Sequence, residues 1–186
     1  MALTIKIDKM RDLSEKNQKL IIRTCEMATP VLNWRVWEER IMRQDYREDK
    51  GKSGAQILSL IKTGADDPSK NPDGDIDLDI TGFFRLSSTI GYTYLNSYRT
   101  WVNRRFLDKF SEAELFGHIM HELMHRAFGF THRIHKGSVP YVVGYVSRDS
   151  FQEYYKLNTG KEMFASFMEN EMQPLLQSQL KIEIVG

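Results

Sequence analysis

Two histidines four residues apart, with a glutamate directly after the first, place the strongest constraint on this chain: His121-Glu122-Leu123-Met124-His125. On a helix, positions i and i+4 lie on one face, so the two imidazoles converge on a single metal ion. The glutamate then points at the metal's open position, where it can take a proton from water. All five histidines fall between His118 and His135, a clustering that random scatter does not produce. A helix is also expected here on other grounds. Ser111-Glu112-Ala113-Glu114 has the form of a capping box, so the helix should run over residues 112–127 and stop near Gly129. Leu115, Phe116, Ile119, Met120, Leu123 and Met124 make it apolar over a wide arc, which marks a central buried helix. Burying two imidazoles on such a helix without a shared partner is costly, and this weighs against an ordinary pair of core histidines.

Around this helix the pattern reads as α+β. Residues 12–44 have a helical period and are expected as two helices broken at Thr29-Pro30, followed by a short helix over 55–62. The segment Asp66 to Asp75 is dense in turn formers and reads as a surface loop. Ile76-Asp77-Leu78-Asp79-Ile80 alternates apolar and acidic residues, the pattern of a strand with one wet face, which also accounts for the acidic string without calcium. Thr89 to Phe106 reads as a hairpin or two short strands turning at Asn96-Ser97. After the central helix, an irregular loop is expected over 130–140, then helices over 148–157 and from Lys161 to about Leu180, interrupted by Pro174. The expectation is one domain over 1–186: a helical part over 1–65, then a small sheet, the central helix and C-terminal helices.

Composition narrows the functional classes. With 26 basic and 25 acidic side chains the net charge is +1, so nothing argues for nucleic acid or an anionic membrane as partner. Cys25 is the single cysteine, which rules out an intrachain disulfide and a cysteine-based zinc site. No apolar run reaches signal-peptide or membrane-span length, so the expected location is the cytosol or a virion-like particle assembled there.

A catalytic zinc needs a third protein ligand. His132 is the expected one, reached through Gly129, which can take the positive φ that turns the chain back to the metal. Glu162 and His135 stand as alternatives, and His118 is expected to pack beside the site or support it. The order His-Glu-x-x-His, glycine, His resembles that of metzincin metallopeptidases. Here, however, His121 to His132 reads HExxHxxxGxxH, one residue longer than the usual HExxHxxGxxH. Ser138-Val139-Pro140-Tyr141 is similar to the clan's Ser-x-Met-x-Tyr turn without its methionine. That resemblance implies Tyr141 as a phenol reaching the site. The blocks from Gly91 to Gly144 are also similar to a group of bacterial and phage proteins. Glu162-Met163-Phe164-Ala165-Ser166 resembles the glutamate helix of gluzincins.

Together these resemblances imply a compact zincin-like fold and a zinc metalloendopeptidase acting on a peptide or protein substrate. Zn2+ is expected on His121, His125 and His132, with Glu122 as proton acceptor and Tyr141 as catalytic phenol. The resemblance also implies a substrate-aligning edge strand within 91–106, with Tyr92, Tyr94, Tyr98 and Trp101 as wall or sheet packing. Two other readings remain at this point: a structural or assembly protein that keeps zinc as an internal staple, and a metal-dependent hydrolase of a non-peptide bond. Residues 1–65 carry no legible chemical motif.

Overall fold

The computed structural model describes residues 2–64, 72–94, 99–132 and 137–167, with 161–167 as backbone only. It is an α+β structure whose described residues form a four-stranded mixed sheet and six helices. Two compact units divide it, residues 1–151 and 152–186. The sheet order is β1-β2-β4-β3, built from β1 (Thr4–Arg11), β2 (Asp75–Phe83), β3 (Gly91–Thr93) and β4 (Arg99–Asn103). β1, β2 and β4 run parallel, and β3 is an antiparallel edge, with Tyr92 opposite Trp101.

The N-terminal part departs from the expected all-helical reading. Thr4-Ile5-Lys6-Ile7 alternates, and β1 pairs along β2 from Thr4↔Asp75 to Arg11↔Thr81. This pairing joins residues some seventy positions apart and is fixed by side chains no local pattern links: Lys6 and Thr4 both bind the Asp75 carboxylate. β2 is therefore an interior strand, and the expected wet face does not exist. Asp77 and Asp79 are buried, and Asp79 pairs with Arg11 from β1 at 2.5 Å and with Arg99 from β4 at 3.5 Å.

Helix α1 (Glu15–Leu32) runs through Thr29-Pro30 rather than breaking there. So near the helix end, proline forfeits one backbone bond without stopping the last turn. The break comes at Asn33 instead, whose side chain accepts from Leu3 N (2.9 Å) and donates to Leu3 O (2.8 Å), tying the helix end to the sheet. α2 (Arg35–Met42) and α3 (Gly54–Lys62) follow, the latter opened by a Ser53/Gln56 capping box. Ile21, Val31, Trp37, Ile41, Ile57 and Ile61 from these helices are fully buried, as are Ile76, Leu78 and Ile80 of β2 to within 2%.

β4 leads through the short α4 (Arg104–Leu107) into α5 (Glu112–Arg126), the helix that carries the histidine pair. Ser111 and Glu114 close its capping box, and its predicted apolar arc is buried. Beyond it, α6 (Val139–Phe167) is one helix where an irregular loop to Pro140 and two later helices were expected. Pro140 sits in its first turn, where the missing N–H has no helical partner to lose. In the second unit, Asn158 Nδ2 donates to Tyr154 O at 2.8 Å. Asn96-Ser97, His135 and Pro174 lie outside the described residues. Among the described residues no helix is long and apolar enough to cross a membrane.

Candidate metal centre

α5 lays its His121/His125 face beneath the antiparallel edge strand. The two Nε2 atoms approach to 3.2 Å. The chain then turns at Gly129, which has φ of 63°. Gly129 N bonds His125 O and Phe130 N bonds Met124 O, both at 3.0 Å, a wide turn that absorbs the extra residue between His125 and the glycine. Phe130 is fully buried and anchors the reversal, which brings the His132 ring to 5.5 Å from that of His121 and 4.9 Å from that of His125. One nitrogen from each of His121, His125 and His132 lies within 4.8 Å of the other two.

Proton placement tests whether a cation fits. His125 Nδ1 lies 2.5 Å from the Phe130 carbonyl oxygen, so it carries the ring proton and donates it. Its Nε2 is then a bare acceptor. The His121 ring has its own carbonyl partner at Pro140, and its Nε2 faces that of His125. With each ring's proton held by a carbonyl, two lone pairs point at each other. A second proton on either ring is opposed by burial and by the neighbouring imidazoles, which push His121 down to about 2; burial and His132 hold His125 below its usual range. A metal cation accepting both lone pairs resolves the arrangement. Neutral imidazoles whose outer nitrogens are tied to backbone carbonyls are the usual ligand set for zinc and similar ions.

Glu122 follows in the same turn and is 3% exposed. Burial pushes its carboxyl up to about 7; the Thr93 hydroxyl acts in the opposite sense without completing a hydrogen bond. Its Oε2 has no hydrogen-bond partner. One turn back, His118 is buried with Nε2 at 3.9 Å from Glu122 Oε1, and burial, then the His125 ring, take it down to about 4. Gly91 of β3 permits this packing, since a Cβ there would stand 2.3 Å from His118 Nε2. Tyr141, in the first turn of α6, places its ring 4.6 Å from that of His121 and 4.8 Å from that of His132. α6 comes this close because Gly117 and Gly144 face each other: a Cβ on either would meet the other's carbonyl oxygen below 3.0 Å. Burial, Tyr145 and Glu122 all raise the Tyr141 phenol. These groups open on a cavity of about 670 Å³ whose roof is β3.

The structure therefore brings together His121, Glu122, His125, His132 and Tyr141, with His118 beside Glu122. Glu162 lies on α6 in the second unit, with only its backbone described. Tyr92 and Trp101 stack at 5.3 Å with Tyr94 edge-on to both, so the aromatics pack the sheet, and Tyr92 alone of the three also borders the cavity; Tyr98 lies outside the described residues. The reading from sequence missed Gly91, Thr93, Gly117 and Gly144. A glycine inside a helix that needs no flexibility was the available signal for the last two; the carbonyls of Phe130 and Pro140 leave no signal at all. The chain matches no protein-family model, no curated protein and no solved structure.

Proposed function

We propose that this chain is a zinc-dependent metallopeptidase with a zincin-like fold, holding Zn2+ on His121, His125 and His132. The observation that carries the reading is the facing pair of imidazole Nε2 atoms 3.2 Å apart, with a third histidine in reach and a buried glutamate beside them. The antiparallel strand β3, immediately before the strand that feeds the histidine helix, supports the zincin reading. The chemistry that zinc supplies in such a site is Lewis acidity, which makes water a proton donor near neutral pH.

The chain's own residues supply the rest. Glu122, buried beside the two helical ligands, takes the proton of the attacking water and passes it to the leaving amine. A purely structural zinc has no use for such a base beside its first ligand. Tyr141 donates its phenol hydrogen to the oxyanion that forms at the attacked carbonyl. An extended peptide lies along the free edge of β3 through main-chain hydrogen bonds.

Elemental analysis should find one zinc per chain, and a peptide library should be cleaved by the wild type. Glu122→Ala should retain zinc and lose cleavage by about a hundred-fold or more. Zinc bound without Glu122-dependent cleavage would overturn the peptidase reading in favour of a structural staple.

A further inference from the structure

The loop between β2 and β3 holds large apolar side chains out in solvent. Leu86 is 78% exposed and Phe84 62%, and Ile90 and Tyr94 continue the strip at 39% and 62%. Such groups on a slack loop fold back onto the surface; this loop is prevented from doing so. Asn103, fully buried at the end of β4, donates from Nδ2 to Arg85 O at 2.8 Å and to Thr89 O at 3.0 Å. Its Oδ1 accepts from Arg85 N and Arg105 N, and its own N–H donates to Ile90 O at 2.7 Å. The Arg105 guanidinium donates to Leu86 O at 3.1 Å. The loop is thus fixed before any partner arrives, which removes the ordering cost from binding.

Charge points to the occupant. Arg85 in the loop and Arg105, bonded to Leu86 O, are exposed beside the apolar pair, and no carboxylate among the described residues pairs with them. The same loop runs into the cavity, where Ser88, Thr89 and Ile90 form its rim. Phe84 and Leu86 are two residues apart, the spacing that meets alternate side chains of an extended chain. Two arginines fall short of the roughly 4–8 basic residues that hold a protein on an anionic membrane. We infer that loop 84–90 is a docking site for a polypeptide segment with alternating apolar and acidic side chains, outside the scissile region. That the segment belongs to a substrate rests on the peptidase reading; the docking itself needs no catalysis.

The test uses the zinc-loaded Glu122→Ala protein and a fluorescein-labelled peptide of repeating Glu-Leu-Asp-Phe, with binding read by anisotropy. Phe84→Ser/Leu86→Ser and Arg85→Glu/Arg105→Glu should each weaken binding about ten-fold or more, while Arg85→Lys should retain most of it. The same peptide with lysine in place of both acids should bind at least about ten-fold more weakly. Unchanged melting temperature and zinc content in the serine variant exclude misfolding as the cause. Equal binding by the variants, or by the lysine peptide, overturns the docking site. Leu86-dependent pelleting with phosphatidylserine vesicles without peptide binding overturns it in favour of a lipid surface. A dimer in sedimentation that the serine variant abolishes, again without peptide binding, overturns it in favour of a second copy. Peptide docking that depends on Leu86, in a chain whose wild type cleaves nothing, upholds the site and sinks the peptidase reading alone. Cleavage without such docking does the reverse.

Discussion

Two sets of buried polar side chains meet on α5, and they are built on opposite principles. On the sheet side, polar groups find partners within the chain: Asp79 takes Arg11 and Arg99, Asp75 takes Lys6, and Arg126 donates to the Asp77 backbone carbonyl at 2.7 Å. On the cavity side, like faces like. His121 and His125 present lone pairs to each other, and Glu122 Oε2 and His118 Nε2 have no hydrogen-bond partner. His125 and Arg126 are consecutive residues, so one helical turn serves both sets. Lone unpartnered hydroxyls also occur in the scaffold, at Thr24 and Thr81, but among the described residues only the cavity side gathers several unpartnered titratable groups around one space, and that concentration is what points to something the chain does not contain.

Removing a member from each set should separate them most sharply. His132→Ala should weaken zinc binding by more than about a hundred-fold, beyond the 10–100-fold loss typical of outer partners. Competition against a chromogenic chelator measures this, and an unchanged affinity would transfer the third-ligand role to a residue such as Glu162. Asp79→Ala removes the buried carboxylate that Arg11 and Arg99 share; both arginines reach solvent, so the loss should be about 2 kcal/mol in urea unfolding, while zinc affinity per folded molecule stays level. If Asp79→Ala loses zinc and His132→Ala loses stability, the division between the sets is wrong.

The same division explains what was legible in the sequence. The capping box, the apolar arc of α5 and the histidine spacing are local signals, and each falls where periodicity puts it. β1 was missed because its alternation is confined to Thr4–Ile7, and the remainder to Arg11 gains its strand from pairing with β2. The acidic strand was misread for the same reason: alternation records which residues are polar, whereas burial depends on whether neighbouring strands supply arginines to cover them. The start of α6 was missed because Pro140 was read as the end of a loop, when a proline in a first turn is a start signal, and the helix runs on through Asn158-Thr159-Gly160, where two helices were expected to part. Loop 84–90 carried no motif because Asn103, which shapes it, acts from another strand.

Acidification should distinguish the sets next. His118, held at about 4 against an ordinary 6.5, contributes stability that is present above pH 6.5 and lost as pH falls towards 4. His121 and His125, also lowered, act in the same direction. Glu122, raised to about 7 from 4.5, works oppositely: its contribution is present below pH 4.5 and lost as pH rises to 7. Three histidines outweigh one carboxyl, so the metal-free protein should lose stability between pH 7 and pH 5. His118→Gln should remove about 2 kcal/mol of that loss. Parallel pH profiles for variant and wild type in urea titrations would show that His118 is not held neutral by burial.

The smallest effect tests whether the motif-free N-terminal region belongs to the scaffold alone. Lys50 Nζ donates to Gly129 O at 2.6 Å, and Arg47 N donates to Gly137 O at 2.6 Å. One loop therefore holds both ends of the segment that delivers His132. It does so with Glu48 and Lys50 at φ of 56° and 54°, a conformation that costs a non-glycine residue on the order of 1 kcal/mol. Lys50→Ala loses the exposed contact and keeps the strain, so zinc affinity should fall about three-fold with stability down by about 0.5 kcal/mol. Lys50→Gly also loses the contact but relaxes the backbone, so stability should hold or rise while zinc affinity still falls about three-fold. Stability and affinity then move apart only if the loop positions the third histidine. If both variants bind zinc as the wild type does, residues 47–50 brace the fold and contribute nothing to the metal centre.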